Sequence, residues 1–154
     1  MTDRPPPVLD NARVLQFAIL PQSIPFAGRS LVFVDGKELG RVPRLAICED
    51  QPPAKVLLFY CDDQWRVLAA AGYDSIDLAK ARAERTYPGS SALWKESGVS
   101  EKEAEDFRNN LFGDDRCSFC GKRPDQIEQL ISKDDVRICN YCIDEFYDSI
   151  HEKS

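Results

Sequence analysis

The stretch CSFCGKRPDQIEQLISKDDVRICNYC, residues 117–142, decides the organisation of the C-terminal end of this chain. Cys117 and Cys120 bracket two residues, Cys139 and Cys142 bracket two more, and 18 residues separate the pairs. That spacing is the pattern of a four-thiolate zinc site. Each bracket is short enough to fold as a knuckle with both sulfurs aimed at one centre, and Gly121 supplies a residue that tolerates positive φ just after the first pair. The interval predicts a short helix over residues 124–131, a turn over 133–135 and a strand over 136–138. A closing helix is expected over 143–150, its N-terminal dipole facing the thiolates. Ile127, Leu130, Ile131, Val136, Ile138, Phe146 and Ile150 are the expected miniature core. A unit of about forty residues rarely folds on burial alone, so metal binding should contribute most of its folding free energy. With thiolates in all four positions no site is left for water, which makes the zinc structural. An iron–sulfur cluster is the other chemistry open to four cysteines.

Outside this stretch, composition sets bounds. The chain has 154 residues, 43% of them hydrophobic, enough for one domain and a small appendage. Apolar runs such as residues 55–60 are too short to cross a bilayer, and the opening MTDRPPPVLD has neither the cationic patch nor the apolar stretch of a secretion signal. A cytoplasmic location is therefore expected, where cysteines stay reduced or bind metal. The net charge of −6 sets phosphate backbones aside as the first guess for a partner.

Residues 1–10, with three consecutive prolines, read as a flexible arm, and order is expected to begin near Asn11. An α+β domain follows over residues 11–98. Strands are predicted at 12–20, at 30–34 with a return at 38–42 around the Asp35-Gly36 turn, at 45–49, at 56–61 and at 65–70. The period then changes. Asp74 or Ser75 is the expected N-cap of a helix whose apolar face carries Ile76, Leu78, Ala79 and Ala83 and which stops before Pro88. Residues 89–98 read as a loop, with Trp94 tucked back onto the sheet. Ser100 and Glu103 form a capping box for a linking helix within residues 99–115, ending at Gly113. The zinc module occupies 116–154. The fold class is thus α+β: an antiparallel sheet with a packed helix, then a small C4 finger.

The segments CSFCGKRPDQIEQLI and VRICNYCIDEFYDSI resemble the zinc-binding domain found at the N-terminus of ClpX unfoldases. The shared features are the Ser-Phe spacer, the following Gly-Lys, the Leu-Ile, the Ile-Cys entry to the second knuckle and the Ile-Asp after it. The resemblance spans residues 116–151 and implies a treble-clef-like module that dimerises and docks adaptors and substrates. Here the module lies at the C-terminal end, and no Gly-Lys-Ser or Gly-Lys-Thr phosphate loop occurs in the sequence, so an ATP-driven unfoldase is excluded. The segment over residues 65–94 also has the look of small bacterial accessory and immunity proteins.

The remaining candidates point away from catalysis. His151, the single histidine, reads as a solvated helix end. Cys48 and Cys61 read as buried thiols on neighbouring strands. The pairs Glu49-Asp50 and Asp62-Asp63 read as turn residues; an enzyme built on them would need a pocket where these carboxylates converge. Trp65 and Tyr73, beside turns, are the candidate partner-binding aromatics. The expectation is a non-enzymatic adaptor with Zn2+ at Cys117, Cys120, Cys139 and Cys142, binding a protein partner of basic character and forming a homodimer through the finger. An immunity or antitoxin-like inhibitor is the alternative. Nucleic acid is disfavoured because residues 116–154 hold six basic and eight acidic side chains and a four-thiolate zinc adds a formal −2.

Overall fold

The computed structural model describes residues 3–27, 33–50 and 55–152, and the chain divides into two compact units, residues 1–104 and 105–154. In the first unit, β1 (Val8–Leu9), β2 (Ala12–Ile19), β3 (Phe33–Val34), β4 (Lys37–Glu38), β5 (Arg44–Glu49), β6 (Val56–Cys61) and β7 (Val67–Tyr73) precede α1 (Ile76–Thr86). A 3-10 turn (Ser90–Ala92), β8 (Lys95–Glu96) and α2 (Glu101–Phe112) follow. The main sheet is antiparallel in the order β1-β2-β5-β6-β7, with β8 also pairing to β2; β3 and β4 form a separate two-stranded ribbon.

Of the arm expected over residues 1–10, the described residues 3–10 are not free. Val8 and Leu9 are buried, and β1 pairs with β2 through a two-residue reversal at Asp10 and Asn11, whose φ values are 47° and 68°. Asp and Asn tolerate the left-handed region, and two successive positive φ values match the right-handed twist of a hairpin. The apolar pair after the prolines thus has a strand to join. The Arg4 guanidinium also donates to the Ser97 carbonyl.

Both faces of the sheet are covered. On one, Leu45, Ile47, Val56, Leu58 and Tyr60 pack against Ala79, Ala83 and Tyr87 of α1 and its C-terminal end. On the other, Leu9, Ala12, Val14 and Phe17 fold over Ala46, Cys48, Phe59, Cys61 and Trp65. The parity of β2 changes between Val14 and Gln16, where the ladder to β5 shifts register. That bulge turns Ala12, Val14, Phe17 and Ile19 to one face and Leu15 and Ala18 to the other, which curls the sheet over its second core.

The predicted strands at 45–49 and 56–61 match β5 and β6. The strand predicted at 65–70 begins later and runs further, as Val67–Tyr73, because Trp65 takes φ 63° inside the β6–β7 turn. Among the described residues, the hairpin around Asp35-Gly36 pairs Phe33 with Glu38 and Val34 with Lys37; residues 30–32 lie outside the described residues. The segment 89–98, expected as a loop, adds β8 to the outer edge of β2, and Trp94 packs against the helix-side core as expected. The Ser75 hydroxyl accepts from the Leu78 N–H at 3.1 Å, the predicted cap of α1. The linking helix forms as α2, closed by Gly113 at φ 55°, but the division between units falls inside it, after Ala104. The physical reason is that Glu105 and Asn109 bind a side chain of the zinc module, described below.

Trp65 is a core residue and not a partner-binding one. It is 3% exposed, meets Phe17 edge to face at 5.8 Å and lies under the Arg44 guanidinium at 4.9 Å. The turn places it at a tip in sequence, but the sheet's curl brings Phe17 over it. Replacing Trp65 with Ala is expected to destabilise the first unit by roughly 3–5 kcal/mol, read as a lowered urea midpoint; an unchanged midpoint would mean that the indole is peripheral.

Candidate metal centre

The second unit holds the C-terminal part of α2, then a 3-10 turn (Pro124–Gln126), β9 (Leu130–Lys133), β10 (Val136–Cys139) and α3 (Asn140–His151). The helix expected over residues 124–131 is reduced to that single turn, and Leu130 and Ile131 belong to a strand. Pro124 starts a turn readily, but the backbone at Ile127 is extended and Leu130–Lys133 pairs with Val136–Cys139 across Asp134, at φ 55°. The hairpin claims residues that a helical period alone would assign elsewhere.

The first knuckle is built from local hydrogen bonds. Gly121, at φ 78°, donates to the Cys117 carbonyl at 3.0 Å, and the Cys117 N–H donates to Lys122 O at 2.9 Å. Ser118 N–H donates to Arg137 O at 2.8 Å while its hydroxyl accepts from Arg137 N–H at 2.9 Å, tying the knuckle to β10. The second knuckle is the end of β10 and the first turn of α3, which begins at Asn140 and not at Ile143. Asn140 Oδ1 accepts from the N–H groups of Glu128 and Gln129 at 3.0 and 3.1 Å, so this one side chain anchors the approach to β9.

The four sulfurs of Cys117, Cys120, Cys139 and Cys142 all lie within 4.8 Å of one another. Cys117 and Cys142 are 3.8 Å apart, Cys120 and Cys139 3.7 Å. A tetrahedral ion with metal–sulfur bonds of about 2.3 Å requires sulfurs about 3.8 Å apart, so the cage has the size zinc needs. Three of the cysteines are buried and Cys120 is exposed. Burial pushes the Cys117 thiol up, but N–H groups of Cys120, Phe119 and Cys139 aimed at its sulfur outweigh this and bring it down to about 6. Burial raises the Cys142 thiol to about 12, helped by the neighbouring cysteines. Once bound, Zn2+ supplies the positive charge that lets all four ionise together.

Around the cage the core is smaller than expected. Ile127, Leu130 and Ile138 pack against the cysteines, whereas Ile131, Val136, Phe146 and Ile150 are exposed. Arg123, 3% exposed, takes their structural place. Its guanidinium binds Asp125, Glu105 and, at 2.8 Å, Asn109 Oδ1, joining α2 to the turn after the first knuckle. The hydrogen bonds from Arg123 hold the Glu105 carboxyl below the ordinary carboxylate range. Sequence reasoning passed over Arg123 because a basic residue in a charged tail carries no sign of burial.

Two knuckles, a hairpin and a helix closing on four thiolates define a treble-clef-like C4 zinc finger. Residues 115–152 match the family model of the ClpX C4-type zinc finger, about a quarter of the chain. No solved structure matches the chain.

The other sequence candidates are dispersed. Glu49 pairs with Arg13 at 3.0 Å, while Asp62 receives the N–H groups of Gln64 and Arg66 in the β6–β7 turn. These two carboxylates sit at opposite ends of β6 in the sheet and do not converge. Cys48 and Cys61 are free, buried thiols on the same face but not directly paired across the ladder; burial pushes both up, Cys61 to about 12. His151 ends α3, exposed, its ring stacked on Tyr147 at 4.0 Å. Tyr73 is half-buried at the edge of the helix-side core.

Two outcomes are expected. Chelation, or Cys139→Ser, will abolish hydrogen-exchange protection in β9, β10 and α3 while leaving β5 and β6 protected, and metal analysis of the untreated protein will give one zinc per chain; protection surviving chelation would refute a metal-built fold. Arg123→Ala will cost roughly 2–4 kcal/mol in the zinc-loaded second unit, because it strands Asp125 and removes several hydrogen bonds. Since Glu105 is depressed in the folded state, its share is present above its unfolded value and is lost as pH falls through the lower folded one. Denaturant midpoints of the variant and wild type at neutral pH measure the difference.

Proposed function

We propose that this chain is a non-enzymatic interaction protein of the cytoplasm, in which zinc holds the finger rigid and the finger's exposed apolar face forms a homodimer that docks a further protein. The carrying observation is that face. On α3, Ile143, Phe146, Tyr147 and Ile150 recur at i, i+3, i+4 and i+7, and the last three are 40%, 58% and 70% exposed. Phe119 of the first knuckle, 56% exposed, stands edge to face on Phe146 at 5.3 Å and extends the patch to the metal cage. Clusters of large apolar side chains rimmed by charge mark interfaces. A second copy suits this one because Asp144, Glu145, Asp148 and Glu152 lie off the apolar stripe, so two α3 faces meet through Phe and Ile while carboxylates stay in water.

The match to the ClpX-type finger supports the same reading, since the resemblance implies dimerisation and docking. The acidic balance of the chain favours a basic docking partner and disfavours nucleic acid. Free, buried Cys48 and Cys61 suit a reducing compartment. Among the described residues no helix is long and apolar enough to cross a membrane.

Sedimentation equilibrium of the zinc-loaded protein is expected to give about twice the chain mass of 17.4 kDa. Phe146→Asp combined with Ile150→Asp should return it to 17.4 kDa with the metal retained. A wild-type protein that stays at the single-chain mass up to high concentration would overturn the homodimer.

A further inference from the structure

The first unit carries a feature that the docking face leaves unused. On α1, Leu78, Ala81, Arg82 and Arg85 follow the spacing i, i+3, i+4, i+7 and lie along one face, beside the buried stripe of Ala79 and Ala83. Opposite them stand Tyr60 of β6 and Ala71 and Tyr73 of β7, on the helix side of the sheet. These seven residues line a cleft of about 630 Å³. That volume lies within the range of small-molecule sites, about 300–1,000 Å³. The cleft exists because two of its walls are alanines: Ala71 on the edge strand and Ala81 on the helix are too short to meet, so the core stops at Tyr60 and leaves room outside it.

Its chemistry is one-sided. Among the described residues no carboxylate lines it, and neither Arg82 nor Arg85 forms an ion pair. The Arg82 charge lies beside the Tyr60 hydroxyl and opposes the upward push of burial on it, while Arg85 is exposed at the rim. The nearest acid on the helix, Glu84, lies two residues on from Arg82, about 200° around the helix axis. Its carboxylate is consumed elsewhere, by the N–H groups of Gly89 and Ser91 at 2.7 and 3.0 Å and by the Ser91 hydroxyl. Two uncompensated guanidinium groups in a chain of net charge −6 are a local exception. Their planar donors suit carboxylate or phosphate, and the phenol rings and alanines offer an apolar body something to lie against.

We propose that this cleft binds a small organic anion, a carboxylate or phosphate ester carried on an apolar ring or chain, with Arg82 and Arg85 on the anionic group and Tyr60 and Tyr73 flanking the body. The Tyr60 phenol stays neutral because burial pushes it up to about 12. The site is independent of the finger's docking role.

The test uses the full, zinc-loaded chain labelled with nitrogen-15 and titrated separately with phenyl phosphate, phenylacetate and the neutral benzyl alcohol. Saturable amide shifts are expected at Ala71, Tyr73, Ala81 and Arg82 with the anions and not with the alcohol. A response to one anion alone supports the site and assigns its headgroup. Arg85→Gln, an exposed position that leaves the core untouched, should weaken binding at least about tenfold, and Ala71→Leu should fill the cleft and abolish it. The proposal is overturned if neither anion gives saturable shifts, if benzyl alcohol binds as well, or if Arg85→Gln binds with unchanged affinity. The unperturbed amides of β2 and β5 serve in each variant as the check on folding.

Discussion

Four sulfurs held within 4.8 Å of one another are the constraint on which the C-terminal unit depends. Four thiolates at that separation repel strongly without a cation between them, and four thiols would waste the knuckle N–H groups already aimed at Cys117. A metal resolves both. Structural zinc contributes on the order of 10–16 kcal/mol in small finger peptides, more than the few side chains packed on the cage could supply. Among the described residues, Ile127, Leu130 and Ile138 are the hydrophobic side chains packed on the cysteines. Because the cage does the work of a core, the larger apolar side chains of the unit are released to the surface, and the exposed stripe of α3 follows from the metal.

The first unit solves the opposite problem. It has two apolar cores, one on each face of a single sheet, and closes the second by curling the sheet on itself at a bulge in β2. Some polar groups inside are tied down: the Tyr87 hydroxyl accepts from the Val42 N–H at 2.8 Å, and the Ser97 hydroxyl donates to the Val14 carbonyl, whereas the Ser90 hydroxyl and the Trp94 indole N–H have no partner among the described residues. The helix-side core ends at alanines, and the cleft there results from small side chains where the sheet and helix diverge. Stability and a candidate recognition site thus arise from the same packing.

The two units are different in kind. One is held by burial, the other by metal and by the Arg123 cluster, so loss of zinc should be felt locally. Any role that regulates the finger by metal supply or thiol oxidation would leave the sheet domain folded.

Sequence alone determined the zinc site, its ligands, the family likeness of residues 116–151, the strands β5 and β6 and the caps of α1 and α2. Each of these is written in local chemistry: fixed cysteine spacing, a Ser before a helix, a Gly after one, a run of β-branched and aromatic residues between turns. Tertiary structure decided the rest. Val8 and Leu9 became a strand because β2 offered an open edge, Leu130 and Ile131 joined a hairpin because Val136–Cys139 was there to pair with, and Trp65 went inside because a bulge far along the chain carried Phe17 over it. Burial of Arg123 depended on the Asp125 carboxylate two residues away and on that of Glu105 in α2, 18 residues away. Periodicity reports which residues share a face, but it does not say what will arrive to cover that face, and the changed expectations followed from pairing and packing partners, some a turn away and others distant in sequence.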